Sequence, residues 1–367
     1  MRPLAEVFIL WAVLVATSAL AASDYYTFQE YAALHPEIIE KAKRFSERVR
    51  NRGEPIATAK IPPEINIAII YPGKQVSDYW RRSVVSLQKR LDEIAIPSRI
   101  DNYMSAPGID YRTQEAQLRK ALSNDPDYLV FTLDAKKHQR AIERIMTRKR
   151  PRLILQNITT PLKTWEGRQP FFYVGFDHAS GTQMLTDFFL KKTGGRGKYA
   201  VLFFTMGYVS KMRGNTFIDD VRRRSQLQLV DAVYTDGNRG KACARTLNIL
   251  DRHPDIAFLY CCSTDVAMGA IDALQQTGKN DDILVNGWGG GSSELGAIEK
   301  GMMDVTIMRM NDDNGVAMAE AIRLDLENRL DELPPVYTGD FVIVEKGIAN
   351  AELNRLKAHA FRYSGVN

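Results

Sequence analysis

INIAIIYPGKQVSDYW, residues 65–80, is an apolar run that breaks at Pro72 and ends in a polar cluster holding Gln75, Ser77 and Trp80. Five further apolar runs end in the same way. Thr132 and Asp134 follow YLVF, Asn157 follows LILQ, Arg213 follows AVLFFTMG, Thr264 and Asp265 follow IAFLYCCS, and Trp288 follows ILVNG. In an open α/β sheet, ligands bind outside the carboxyl ends of the strands. The six clusters therefore sketch one small-molecule cleft. Arginines, tryptophans, amides and hydroxyls suit a compact, oxygen-rich, anionic ligand.

Working outward, apolar runs alternate with amphipathic helical stretches in two series. From residue 65 the pattern is strand, helix (79–94), strand (SRIDNY), helix (112–122), strand (YLVF), helix (136–147), strand (RLILQ) and FFYVG. From Asp177 it resumes with a helix stopped by Gly194 and Gly195. KYAVLFF, LQLVDAVY, IAFLYCC, ILVNGW and VTIMRM follow with helices between them, and VYTGDFVIV closes the series. Strands alternating with helices of this length mean parallel sheets of βαβ units. The expected fold class is α/β, with two doubly wound parallel-sheet lobes joined by a three-strand hinge. The expected divisions are a signal peptide over 1–21 and a helical extension over 22–61. The first lobe is placed at 62–174 plus 309–333, and the second at 175–308 plus 334–367. Crossings are expected near Val174, at 308–310, and at Pro334 and Pro335.

Arg2 followed by VFILWAVLVA and a small-residue site at Ala19 and Ala21 predicts an export signal, with a mature chain starting near Ser23. The run is shorter than the roughly 20 residues a membrane span needs; a membrane anchor or a buried helix is the alternative. The 367 residues suffice for two cores, and the fractions of hydrophobic (45%) and charged (25%) residues are those of an ordinary globular protein. A net charge of +5 is modest, and the basic runs fall on or beside predicted helices, which reads as solvated faces and not a nucleic-acid surface. Three cysteines cannot form an even set of bridges. Cys261 and Cys262 are adjacent on a predicted strand and should face opposite ways as small buried residues. The five histidines show no metal-ligand spacing, and Asp177 with His178 reads as a helix start.

The segments YPGKQVSDYW, YLVFTLD, LQNITTP, YVGFDHASG, CSTDVAMGA, NGWGGGS and MRMNDD carry a resemblance that runs from about Pro62 to the terminal AFRYS. The chain resembles the ribose-binding type of periplasmic binding proteins, and within it the LuxP-type autoinducer-2 receptors. The resemblance implies a furanosyl borate diester as ligand, so boron is expected as part of the ligand, with no separate cofactor, no metal and no catalytic residue. It implies that Gln75, Ser77, Trp80, Thr132, Asp134 and Asn157 of the first lobe bind the ligand. Arg213, Thr264, Asp265 and Trp288 of the second lobe and Arg309 at a crossing match the remaining positions. It further implies the periplasmic domain of a LuxQ-like membrane sensor kinase as partner.

The residues leave three function classes open: a signal receptor, a pentose-type sugar-binding protein of an ABC uptake transporter, and an enzyme. A borate diester needs fixed donors and cations once desolvated, and arginine offers planar, charged donor forks. Sugar binders tend to use cleft carboxylates, whereas Asn157 and Trp288 stand near such positions here. No Gly-x-Ser-x-Gly elbow, metal cluster or phosphate loop supports an enzyme. The glycines at 289–291 lack the last glycine of a dinucleotide fingerprint and read as a strand-to-helix turn.

Overall fold

The computed structural model describes residues 24–56, 61–107, 110–132 and 138–365. The expected signal peptide and Asp134 lie outside the described residues. Two six-stranded sheets form the two lobes. The first holds β1 (Ile65–Tyr71), β2 (Ser98–Met104), β3 (Tyr128–Phe131), β4 (Arg152–Gln156), β5 (Phe172–Gly175) and a late strand, β11 (Val336–Thr338). The second holds β6 (Lys198–Phe203), β7 (Gln228–Tyr234), β8 (Ile256–Cys261), β9 (Leu284–Gly289), β10 (Val305–Arg309) and β12 (Phe341–Glu345). Their orders are β11-β5-β4-β3-β1-β2 and β12-β10-β9-β8-β6-β7, so the two lobes repeat one topology. Every pairing is parallel except β10 with β12.

Parallel strands covered on both faces read as near-continuous apolar runs. β1 shows this: Ile67, Ile69 and Tyr71 face one core, while Ala68 and Ile70 face another on the opposite side. β8 divides in the same manner. Leu259 and Cys261 enter one cluster of the second lobe, Phe258, Tyr260 and Cys262 the other. The two adjacent cysteines therefore sit in separate cores, and both are free thiols. Gly194, with φ +62°, ends the helix His178–Thr193 in the left-handed conformation that glycine adopts without a Cβ clash.

The last crossing differs from expectation. VYTGDFVIV is interrupted at Gly339 and Asp340: Val336–Thr338 pairs with β5 in the first sheet, and only Phe341–Glu345 joins the second. The return therefore lies after Thr338, not at Pro334 and Pro335. The prolines precede a strand here; they do not mark the hinge. The extension also belongs to a core. Its helix Glu37–Arg50 buries Phe45 edge-on against Phe172 and Tyr337 and places Val49 in the first lobe's cluster.

The lobes are shut on each other. Val76 N–H donates to Asp265 Oδ1 at 2.9 Å, and Ser292 donates to Asp78 Oδ2 through its N–H and its hydroxyl, at 3.2 and 2.9 Å. Arg82 donates to the same Ser292 hydroxyl, and the Thr160 and Tyr208 hydroxyls meet at 2.7 Å. Burial would raise the Asp78 carboxyl, but Arg82 and the Ser292 donors outweigh it and hold it below the usual carboxylate range.

Candidate ligand-binding site

The carboxyl ends of β1, β4, β6, β8, β9 and β10 converge on a cavity between the lobes. Eight of the expected residues line it: Gln75, Ser77, Trp80 and Asn157 from the first lobe, Arg213, Thr264 and Trp288 from the second, and Arg309 at the crossing. Local structure aims them. Asn157 holds φ +68°, a left-handed backbone that asparagine tolerates better than most residues, and its N–H is tied to Val174 O. Arg213 sits in a π-helical turn, Lys211–Asn215, a local irregularity frequent at functional sites.

Glycine at 290 (φ +63°) is required because a Cβ there would come within 2.3 Å of the Met308 backbone. The buried Glu294 carboxylate fastens this turn by accepting from Trp288 N and Gly290 N and from the Thr306 hydroxyl. The glycine run thus shapes the Trp288 wall.

Electrostatics sets this cavity apart from an ordinary polar pocket. Arg213 and Arg309 are both buried, and among the described residues no carboxylate lines the cavity. Arg213 donates from Nε to His178 Nδ1 at 3.0 Å and from Nη1 to Cys262 O at 2.8 Å. Its guanidinium carbon lies 3.6 Å from the centroid of the Trp288 ring. Arg309 covers Tyr79 at 4.1 Å, and its one side-chain hydrogen bond among the described residues, Nε to Gly289 O, is long at 3.4 Å. Burial first, and then Arg309, bring the Arg213 pKa down to about 9; burial also lowers that of Arg309. Arginine keeps its charge in proteins, so two cations are held together with no counter-ion in the wall, although Glu294 attracts both and Asp78 attracts Arg309. Buried charge without a directly paired counter-ion is costly, so the site is built for an anion or strong acceptors.

Two expected residues do not line the cavity. Thr132, the residue after β3, is fully buried and not among the lining residues. Asp265 spends one carboxylate oxygen on the Val76 N–H of the opposite lobe, so it clasps the lobes together; burial raises its pKa. It does not cap its helix, whose N-cap is Ser263. Pro72, Tyr79, Phe204, Val209 and Ser263 line the cavity and were not anticipated. The Ser263 hydroxyl is buried with no hydrogen-bond partner among the described residues. Its place after a β8 run beside Thr264 was the available signal. Tyr79 was masked by its neighbour Trp80.

Known proteins share this two-lobed fold. The chain is 29% identical over 163 residues to the D-allose-binding periplasmic protein of Escherichia coli, covering 43% of this chain and 52% of that protein. It is 30% identical over 149 residues to the ribose import binding protein RbsB of Bacillus subtilis, covering 40% and 48%. The chain thus spans about half the length of these curated relatives. Among solved structures, an ABC transporter solute binding protein from Agrobacterium vitis bound with α-D-tagatopyranose superposes with a TM-score of 0.70 at 17% identity. That match covers 80% of this chain and 98% of the other. The curated relatives are named as binding proteins. No helix among the described residues is long and apolar enough to cross a membrane. The periplasmic binding protein domain matches residues 67–329, most of the chain, and the protein therefore belongs to the periplasmic binding protein family.

Proposed function

We propose that this protein is a periplasmic receptor that closes on autoinducer-2, held as its furanosyl borate diester, and regulates a LuxQ-like membrane sensor kinase. One observation carries the choice of ligand: two buried guanidinium groups converge on the inter-lobe cavity with no lining carboxylate among the described residues. A tetrahedral borate diester brings one negative charge and several acceptor oxygens. Arg213 and Arg309 neutralise it and donate to it. Ser77, Thr264 and Asn157 supply further polar contacts, and Trp80 and Trp288 cover the ring and exclude water. A ligand that touches both lobes stabilises the shut form and shifts the population towards it, which changes the outer surface that the kinase meets.

A second reading, a sugar-binding component of an ABC uptake transporter, is favoured by the relatives named for allose and ribose. Titrating the mature protein with the autoinducer precursor, with and without borate, and then with ribose, separates the two. The receptor reading expects affinity that rises with borate and weak competition by ribose, because a neutral sugar leaves two buried cations unpaired. Tight ribose binding with indifference to borate would establish the carrier instead.

A further inference from the structure

We propose that His178 is a positioning residue of the cleft: it ties Arg213 of the second lobe to Asn157 of the first, so that the free donors of both are aimed at the ligand. The inference deepens the receptor reading and rests on it for the identity of the ligand. Arginine only donates hydrogen bonds, so His178 Nδ1, 3.0 Å from Arg213 Nε, carries no hydrogen. A neutral imidazole must then carry it on Nε2, which lies 3.3 Å from Asn157 Oδ1. That contact takes up the amide oxygen and leaves the amide NH₂ for the cavity that Asn157 lines.

The same ring is stacked on Trp288, with centroids 5.2 Å apart and planes at 26°, and Tyr208 meets it edge-on at 5.4 Å. The Arg213 guanidinium lies over that same Trp288. One buried imidazole therefore touches three lining residues: a cation, an amide and an aromatic wall. Burial, then the charges of Arg213 and Arg309, hold its pKa well below the usual histidine value. The neutral form with Nε2 protonated is the one that allows both hydrogen bonds. A protonated ring would lose the Arg213 bond and put a third cation in the site.

Two variants test the role. His178→Phe keeps an aromatic ring against Trp288 but has no acceptor or donor. His178→Asn places an amide oxygen near the former Nδ1 and can still accept from Arg213. The affinity of His178→Phe for the precursor with borate should fall about tenfold or more, and His178→Asn should recover to within about threefold of wild type. A merely structural histidine would not show that selective rescue in two variants of equal thermal stability. Wild-type affinity in His178→Phe, or equal loss in both, overturns the proposal. If the wild-type protein itself ignores the borated precursor, the receptor reading falls. Nitrogen-15 NMR of the wild-type imidazole then decides the inference: Nε2 protonated and Nδ1 bare at neutral pH supports it, and any other form overturns it.

Discussion

Arg90 in the first lobe and Arg213 in the cleft are both almost wholly buried, 1% and 4% exposed, and their surroundings are opposite. Arg90 carries its own counter-ions. It binds Glu320 at 2.7 Å and Glu93 at 3.0 Å, and donates also to the Asn51 and Arg48 carbonyls and the Tyr363 hydroxyl. Burial alone would lower its pKa, but Glu320 and Tyr363 outweigh it and raise it. Arg213 has a histidine, a carbonyl and a second arginine nearby, and its pKa is lowered. A structural arginine is compensated within the fold, whereas the cleft pair is left for a ligand to compensate. Burial by itself does not separate the two roles; the location of the balancing charge does.

Breaking each arginine should therefore damage different properties. Arg90→Ala removes the closest cation of Glu320 and Glu93, leaving only Arg48, Arg323 and Arg52 at 3.8, 4.0 and 3.6 Å, and should cost about 3–5 kcal/mol of folding stability in a denaturant titration. Arg213→Ala or Arg309→Ala should weaken binding of the borated precursor by about 2–5 kcal/mol in calorimetry. Unliganded stability should stay the same or rise, since an uncompensated charge has gone. If Arg213→Ala destabilises the empty protein as much as Arg90→Ala does, the contrast is wrong and the cleft arginines are structural.

The contrast extends to pH. His178 stays neutral when folded, while an unfolded histidine takes up a proton near pH 6.5. The unfolded chain then binds more protons, so this group's contribution to stability is lost as pH falls below about 6.5 towards the folded value. The slope is at most about 1.4 kcal/mol per pH unit for one proton. Comparing wild type with His178→Asn between pH 5 and 7 isolates it, because shared groups cancel. Identical slopes would mean that His178 takes up its proton in the fold as readily as in the unfolded chain, which is incompatible with its bond to Arg213. The smallest effect is expected from Asp265, which touches the other lobe and not the cavity. Asp265→Ala should weaken ligand affinity by only about 0.5–1.5 kcal/mol, the range for one hydrogen bond. A loss as large as that of Arg213→Ala would place Asp265 among the ligand contacts after all.

The alternation of apolar runs with helical stretches determined two doubly wound lobes from the sequence, because strand period, helix period and stop signals such as Gly194 and Gly195 are local properties of the chain. The polar residues at the strand ends were legible for the same reason, and eight of them do line one cavity. Local pattern could not divide VYTGDFVIV between two sheets, since that depends on where the chain crosses between packed lobes. It could not send Asp265 to the Val76 backbone, or bring His178, read as a helix start, between Arg213 and Asn157. Those placements arise only in the folded chain, because they join residues apart in sequence whose separation the tertiary packing alone sets.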